Sequence, residues 1–267
     1  MFFKDVECPN CQAYHDPTLQ ECPECHKSNE LFTLNRLPKR AIFLSPIAQA
    51  ALFLIGFAYA GMLIAEIIFA VFIKALPNDA STKNTLLLVA TYMTMFAGLI
   101  SVPLLTRRKL FFSKFKNGID YLYGIGYAVS IICIGTVIGL LISFIYQGTD
   151  NNNQAAAVSI VKSYPLIAYF VLGILGPICE ELTYRVGLYS FLRRINKYLA
   201  FAVTVIVFAL IHFDFSAADI VNELWALPTY LVCGFILTLA YEHRGPACSI
   251  LAHMLYNSIA FIIMLVQ

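Results

Sequence analysis

Apolar residues run through this chain in long blocks broken by short polar ones. After about residue 45, seven blocks approach the roughly 20 mostly apolar residues that an α-helix needs to cross a bilayer. They cover approximately 46–73, 86–105, 121–146, 164–192, 198–213, 222–241 and 246–266, and the fifth is the shortest. The predicted architecture is an all-α polytopic membrane protein of about seven transmembrane helices. Ahead of them, residues 1–30 are polar and rich in cysteine, and 31–45 read as a linker.

Composition agrees with that pattern. Of 267 residues, 60% are hydrophobic and 13% charged, against roughly 45–50% and 25% in soluble domains. Mean hydropathy is +0.74. A net charge of +2 argues against a nucleic-acid partner. The first ten residues, MFFKDVECPN, contain no apolar signal-peptide core, so the first long block reads as an uncleaved anchor.

Placement of the basic residues orients the spans, because Lys and Arg favour cytoplasmic loops. With the N-terminus in the cytoplasm and seven crossings, the cytoplasmic ends of the spans hold twelve: Arg36, Lys39 and Arg40; Arg107, Arg108, Lys109, Lys114 and Lys116; Arg193, Arg194 and Lys197; and Arg244. Only Lys74, Lys83 and Lys162 fall outside, with the polar loop 147–154. The C-terminus is then outside. Residues 110–120, LFFSKFKNGID, read either as an amphipathic segment on the cytoplasmic interface or as an ordinary basic loop. Gly135 and Gly139 form a small-xxx-small pair suited to close helix packing.

Four of the eight cysteines form two CxxC turns, Cys8/Cys11 and Cys22/Cys25, ten residues apart. Two such turns folded together present four sulfurs at tetrahedral corners, the arrangement of a closed structural zinc site. A 30-residue segment builds too little core to fold without such help. The segment resembles a zinc ribbon. A rubredoxin-like iron site has the same spacing, and a disulfide pair is disfavoured in the cytoplasm. His15 and His26 read as bystanders. The ribbon offers a surface for a protein partner and no reaction of its own. Cys133, Cys179, Cys233 and Cys248 read as small packed hydrophobes.

Charges within a span mark function by default. The fourth span contains Glu180, Glu181 and Arg185. Glu181 and Arg185 stand four apart on one helix face and can neutralise each other; Glu180 is turned away and lacks a local partner. The fifth span ends in FALIH, with Phe208 one turn before His212, and the seventh carries His253 and Asn257 one turn apart. Polar groups on three apolar helices need partners, and the economical solution is that the three faces meet. On straight helices their depths differ. A tilt, or a kink near Gly173, Gly176 and Pro177, must bring them level.

EExxxR, FxxxH and HxxxN, in this order on separate spans, resemble the CPBP family of intramembrane proteases, which includes type II CAAX prenyl endopeptidases and the bacteriocin-processing or immunity (Abi) proteins. The resemblance covers about residues 160–266. It implies a four-helix protease core over 156–267, preceded by three accessory helices over 46–155. It also implies an endopeptidase acting on a peptide or membrane-anchored protein within a multi-pass membrane protein, in a bacterial cell membrane. Glu180 would activate water with His212, and His253 and Asn257 would stabilise the oxyanion. Glu181, Arg185 and Phe208 would support the site. Two routes to the active water remain open. One uses a catalytic metal on Glu180, His212 and His253. The other is metal-free and is preferred, because no HExxH turn is present and Asn257 is a poor metal ligand. Two alternatives to the protease are a non-catalytic immunity or scaffold protein of the same fold, and a proton-coupled transporter in which Glu66 gains importance.

Overall fold

The computed structural model describes residues 6–8, 11–15, 19, 21–27, 41–60, 80–148 and 151–266. The linker residues Arg36, Lys39 and Arg40, the second half of the first predicted span, Glu66 and Lys74 lie outside the described residues.

At the N-terminus, strand β1 (Val6–Glu7) pairs antiparallel with β2 (Tyr14–His15). Among the described residues eight helices follow: α1 (Pro46–Ala60), α2 (Ala80–Ser113), α3 (Gly118–Ile145), α4 (Asn152–Ser163), α5 (Pro165–Arg193), α6 (Lys197–Leu210), α7 (Ile220–Arg244) and α8 (Pro246–Val266). Among the described residues, α2, α3, α5, α7 and α8 are long and apolar enough to cross a membrane; α1 and α6 are shorter apolar helices. The molecule is therefore nearly all helical, as its pattern predicts. Much of the apolar surface of α3, including Val137, Leu140, Leu141 and Phe144, faces outward. A surface of that kind suits lipid.

The chain's own punctuation sets the helix ends. Asn117, Asn196 and Asp219 cap α3, α6 and α7 with side-chain oxygens on the first free backbone N–H groups. Helix α7 stops at Gly245, whose φ of 84° favours glycine, and Pro246 starts α8, its missing N–H costing nothing there. Helix α2 breaks its geometry at Arg107 (φ −146°, ψ 44°), where the apolar block meets the basic run. The turn beyond it buries Phe111, in contact with the Phe43 and Phe115 rings, which favours the amphipathic reading of 110–120.

One departure is α4, because most of 152–163 had no helical expectation. Asn151 caps it, accepting from Gln154 N at 3.1 Å. A second concerns glycine. Nothing lies within 4 Å of a Cβ built at Gly135 or Gly139, whereas a Cβ at Gly187 would meet Phe53 N at 2.8 Å and one at Gly56 would overlap Thr183. The close crossing is therefore between α1 and α5. Helix α3 packs chiefly on α7 and α8.

Side-chain bonds gather the helix ends into two faces. On one, Glu242 of α7 holds Arg193 at 3.0 Å and Lys197 at 3.9 Å, Arg244 lies 3.8 Å from Asp120, and Arg194 donates to Gln49 and Leu44 O. On the other, Tyr146 donates to Asn222 at 2.6 Å, Asn152 N to Glu223 at 2.8 Å, and Thr82 meets Tyr164 at 2.7 Å. Basic residues crowd the first face, and amides and acids the second.

Candidate active site

Glu180, His212, His253 and Asn257 line one cavity of about 550 Å³. The helix that carries Glu180 explains how depths that differ on straight helices become level. Within α5, Tyr169–Leu175 and Glu181–Tyr189 are π-helical, and Glu180 sits on the short α-helical link between them. Wider turns of this kind shift the side chains of a helix relative to its axis and recur at functional sites.

The first π stretch has a local cause. Gly176 N–H bonds to Val171 O, five residues back. In the same register Leu172 O would accept from residue 177, a proline with no N–H. Asn257 fills that vacancy, with Nδ2 donating to Leu172 O at 2.8 Å. Asn257 is thus tied to the kink as well as to the cavity.

Glu181 and Glu180 face different partners. Arg185 Nη1 donates to Glu181 Oε1 at 2.7 Å, with both side chains fully buried. Arg185 also donates to Gly234 O at 3.2 Å and lies 4.3 Å over the Phe208 ring. A desolvated cation–π contact of this kind is worth about 2 kcal/mol. Glu181 Oε1 has a second neighbour, His253 Nδ1 at 3.0 Å. A carboxylate only accepts, so Nδ1 carries the proton. His253 Nε2 then lies 3.8 Å from Glu180 Oε2, an atom that is buried without a hydrogen-bond partner. Burying a lone carboxylate oxygen is costly, so this atom is poised for a ligand, a proton or a water.

His212 is held in a parallel way. Its Nδ1 lies 2.8 Å from Phe208 O, and a carbonyl also only accepts. Its ring stacks on Tyr230 at 4.5 Å and 18°. Phe208 stands between the two imidazoles, 5.0 Å from His212 and 5.9 Å from His253. Each histidine therefore spends its Nδ1–H on a fixed acceptor and keeps Nε2 for other chemistry.

Three features lie beyond the sequence motifs. The Glu181–His253 contact joins residues 72 apart. Tyr230 holds the His212 ring and receives hydrogen bonds from Asn153 Nδ2 at 3.0 Å and Asn151 Nδ2 at 3.5 Å. Glu223, buried on α7, accepts from Asn152 N at 2.8 Å and Asp214 N at 3.1 Å. An acid in an apolar helix was a signal for Glu223; nothing in the sequence marked Tyr230.

In the N-terminal segment, the Sγ atoms of Cys8, Cys11, Cys22 and Cys25 lie within 4.8 Å of one another. Cys8 and Cys25 approach to 3.7 Å, and Cys11 and Cys22 to 3.4 Å. A tetrahedral site with metal–sulfur bonds of about 2.3 Å puts sulfurs about 3.8 Å apart, so the four fit a metal ion. The two turns match: Gln12 N bonds Cys8 O and His26 N bonds Cys22 O, with φ of 63° and 56° at Gln12 and His26. Among the described residues, this is the one group of His, Cys, Asp or Glu whose ligand atoms converge to that degree.

Residues 162–259 match the family model of the type II CAAX prenyl endopeptidase Rce1-like proteins. Among curated proteins, the membrane-embedded CAAX protease MroQ of Staphylococcus aureus is 29% identical over 140 residues, 49% of this chain and 53% of that protein. The UPF0177 protein YxdF of Lactococcus lactis is 32% identical over 111 residues, 41% and 55% of the two chains. YvdC of the same organism is 26% identical over 143 residues, 53% and 52%. The chain spans about half the length of these relatives. No solved structure matches it.

Proposed function

Taking residues 162–259 as an Rce1-like CAAX protease domain, we propose that the chain is an intramembrane endopeptidase whose water is activated by Glu180. The observation that carries this reading is the Glu180 carboxylate. It lines a cavity shared with His212, His253 and Asn257, with one oxygen buried, unpartnered and 3.8 Å from His253 Nε2. Glu180 takes a proton from water as the oxygen attacks the scissile carbonyl, and His212 Nε2 orients that water. The proton passes to the departing amine, leaving a new carboxyl and a new amino terminus. Positioned proton transfer of this kind is worth about 10²–10⁴-fold.

Stabilising the oxyanion falls to His253 and the second Nδ2–H of Asn257. His253 already donates through Nδ1 to Glu181, so donation through Nε2 requires an imidazolium. The Glu180 and Glu181 carboxylates lie one on each side of the ring, 3.8 Å from Nε2 and 3.0 Å from Nδ1. A metal-bound water is the second reading. It is favoured by the two histidines, each with Nδ1–H on a fixed acceptor and Nε2 left over, as metal-bound imidazoles are held. Against it, the ligand atoms of Glu180, His212 and His253 do not converge as the cysteines do. The metal-free route therefore stands first.

Zinc is the ion that suits the four-cysteine ribbon, with a structural role. The ribbon is also the natural surface for a protein partner. The N-terminus is cytoplasmic, on the face that carries the basic residues, in a bacterial cell membrane. Residues 46–155 act as accessory helices to the core at 156–267. The test of the reading is a comparison of membrane-protein and peptide termini in cells with intact chain and with Glu180→Gln. Termini that appear only with intact Glu180 identify substrates; identical sets in both would overturn the reading.

A further inference from the structure

We infer that the cavity is served from the non-cytoplasmic face, so that its substrate is a peptide or membrane-anchored segment whose scissile bond is presented at the outer leaflet. The inference rests on the protease reading for the word substrate, and on geometry for the side.

The cavity has a floor and a mouth. On α8 its deepest lining residue is His253, seven residues after Pro246; on α7 it is Cys233, eleven before Arg244; on α5 it is Glu180, thirteen before Arg193. At about 1.5 Å per residue, the floor therefore stands about 10–20 Å short of the face where Arg193, Lys197 and Arg244 meet Glu242 and Asp120. Toward the other face the lining continues to the helix ends. It reaches Tyr146 just past α3, Asn222 in the first turn of α7 and Met264 in the last turn of α8. There it includes Gly148 and Asn153, both exposed.

The two faces differ in charge in a way that orients them. Nine of the twelve basic residues assigned inside by sequence lie on described segments, at Arg107–Lys116, Arg193–Lys197 and Arg244, and the bonds above bring the last two groups together with the starts of α1 and α3. Between residues 117 and 161, and again between 198 and 243, the chain has no Lys or Arg. These stretches supply the mouth, whose polar groups are Asn151, Asn153, Gln154 and Asn222, backed by Glu223 and Asp214. Such a mouth is the translocated end by the distribution of positive charge. Water and a polar peptide can reach Glu180 from that end, while the closed floor separates the site from the cytoplasm. A cytoplasmic carboxyl-terminal tail would have to cross that floor.

The test uses the full chain in intact cells and a charged, membrane-impermeant maleimide. Ala260 lines the cavity on α8 and Asn153 its rim; Lys116 lies on the basic side. Ala260→Cys and Asn153→Cys are expected to be labelled from outside, above the background of the unsubstituted chain. Lys116→Cys is expected to react only after permeabilisation. Asn153→Cys keeps the test alive if Ala260→Cys fails to accumulate. External labelling of Lys116→Cys, or labelling of the cavity positions only after permeabilisation, would overturn the inference. Labelling does not depend on turnover. A chain that shows no Glu180-dependent cleavage would refute the protease reading and leave the side of the cavity decided.

Discussion

Glu181 Oε1 holds His253 Nδ1 at 3.0 Å while Arg185 Nη1 holds the same oxygen at 2.7 Å. One carboxylate thus both neutralises a buried guanidinium and sets the tautomer of an imidazole on another helix. Its two duties are separable by mutation. Glu181→Gln or Arg185→Ala strands a buried charge, at about 3–5 kcal/mol, and should sharply lower folded protein in the membrane. Replacing both by leucine removes the stranded charge and should recover much of the level. It should not recover turnover, because His253 has lost its acceptor. Quantifying folded protein and cleavage for the double variant checks both halves.

Tyr230 should matter through its ring. Tyr230→Phe keeps the stack on His212 and loses the bonds from Asn153 and Asn151, so kcat should fall only a few-fold. Tyr230→Leu removes the stack, a contact worth about 0.5–1.5 kcal/mol, and lets the imidazole turn. Its kcat should fall further while KM changes little. Steady-state kinetics of the pair decide whether Tyr230 positions His212 or only fills space.

Asp214 ties the turn after His212 to the loop before α4. Its carboxylate accepts from Ser216 Oγ at 2.6 Å and from Asn152 Nδ2 at 2.7 Å. These bonds, first those of Ser216, hold its pKa below the ordinary value of 3.8. A depressed folded pKa contributes order above the unfolded value, and that order is lost as pH falls through the folded one. Hydrogen exchange in 212–219 should therefore be unaffected by this group near neutrality and should rise below about pH 4. Asp214→Asn should remove that acid step.

The ribbon should be separable from the chemistry. Cys8→Ser with Cys22→Ser should abolish binding of one metal ion per chain. Deletion of residues 1–30 should leave cleavage of a short peptide largely intact. Metal analysis alongside peptide turnover checks both, and complete loss of turnover in a well-folded truncation would give the ribbon a catalytic part.

Much of this was legible in the sequence for a physical reason. In lipid a helix must satisfy its own backbone, so apolar block length nearly defines a span, and charged residues within spans stand out. Glu180, His212, His253 and Asn257 could be chosen on that ground and do line one cavity. The contacts that place them were not legible. The Glu181–His253 bond and the Tyr230–His212 stack depend on how π turns rotate α5 and on where a loop docks, and neither leaves a periodic trace. Helix α4 was hidden because its apolar face, Ala157, Ile160 and Val161 among it, is too short to read as a span. The Asn257–Leu172 bond was half legible: Gly176-Pro177 announced a kink without naming the side chain that would serve it.

Glu180 acts, in the proposed mechanism, as the base. Its most direct test compares initial rates of cleavage of one substrate by purified wild type and Glu180→Gln, at equal amounts of folded protein, after chelation and with the ribbon cysteines replaced. The chelated wild type should still turn over, and Glu180→Gln should be slower by about 10²–10⁴-fold, with a folded level close to wild type. Equal rates for the two proteins, or wild-type activity that vanishes on chelation and returns with stoichiometric zinc, would contradict it.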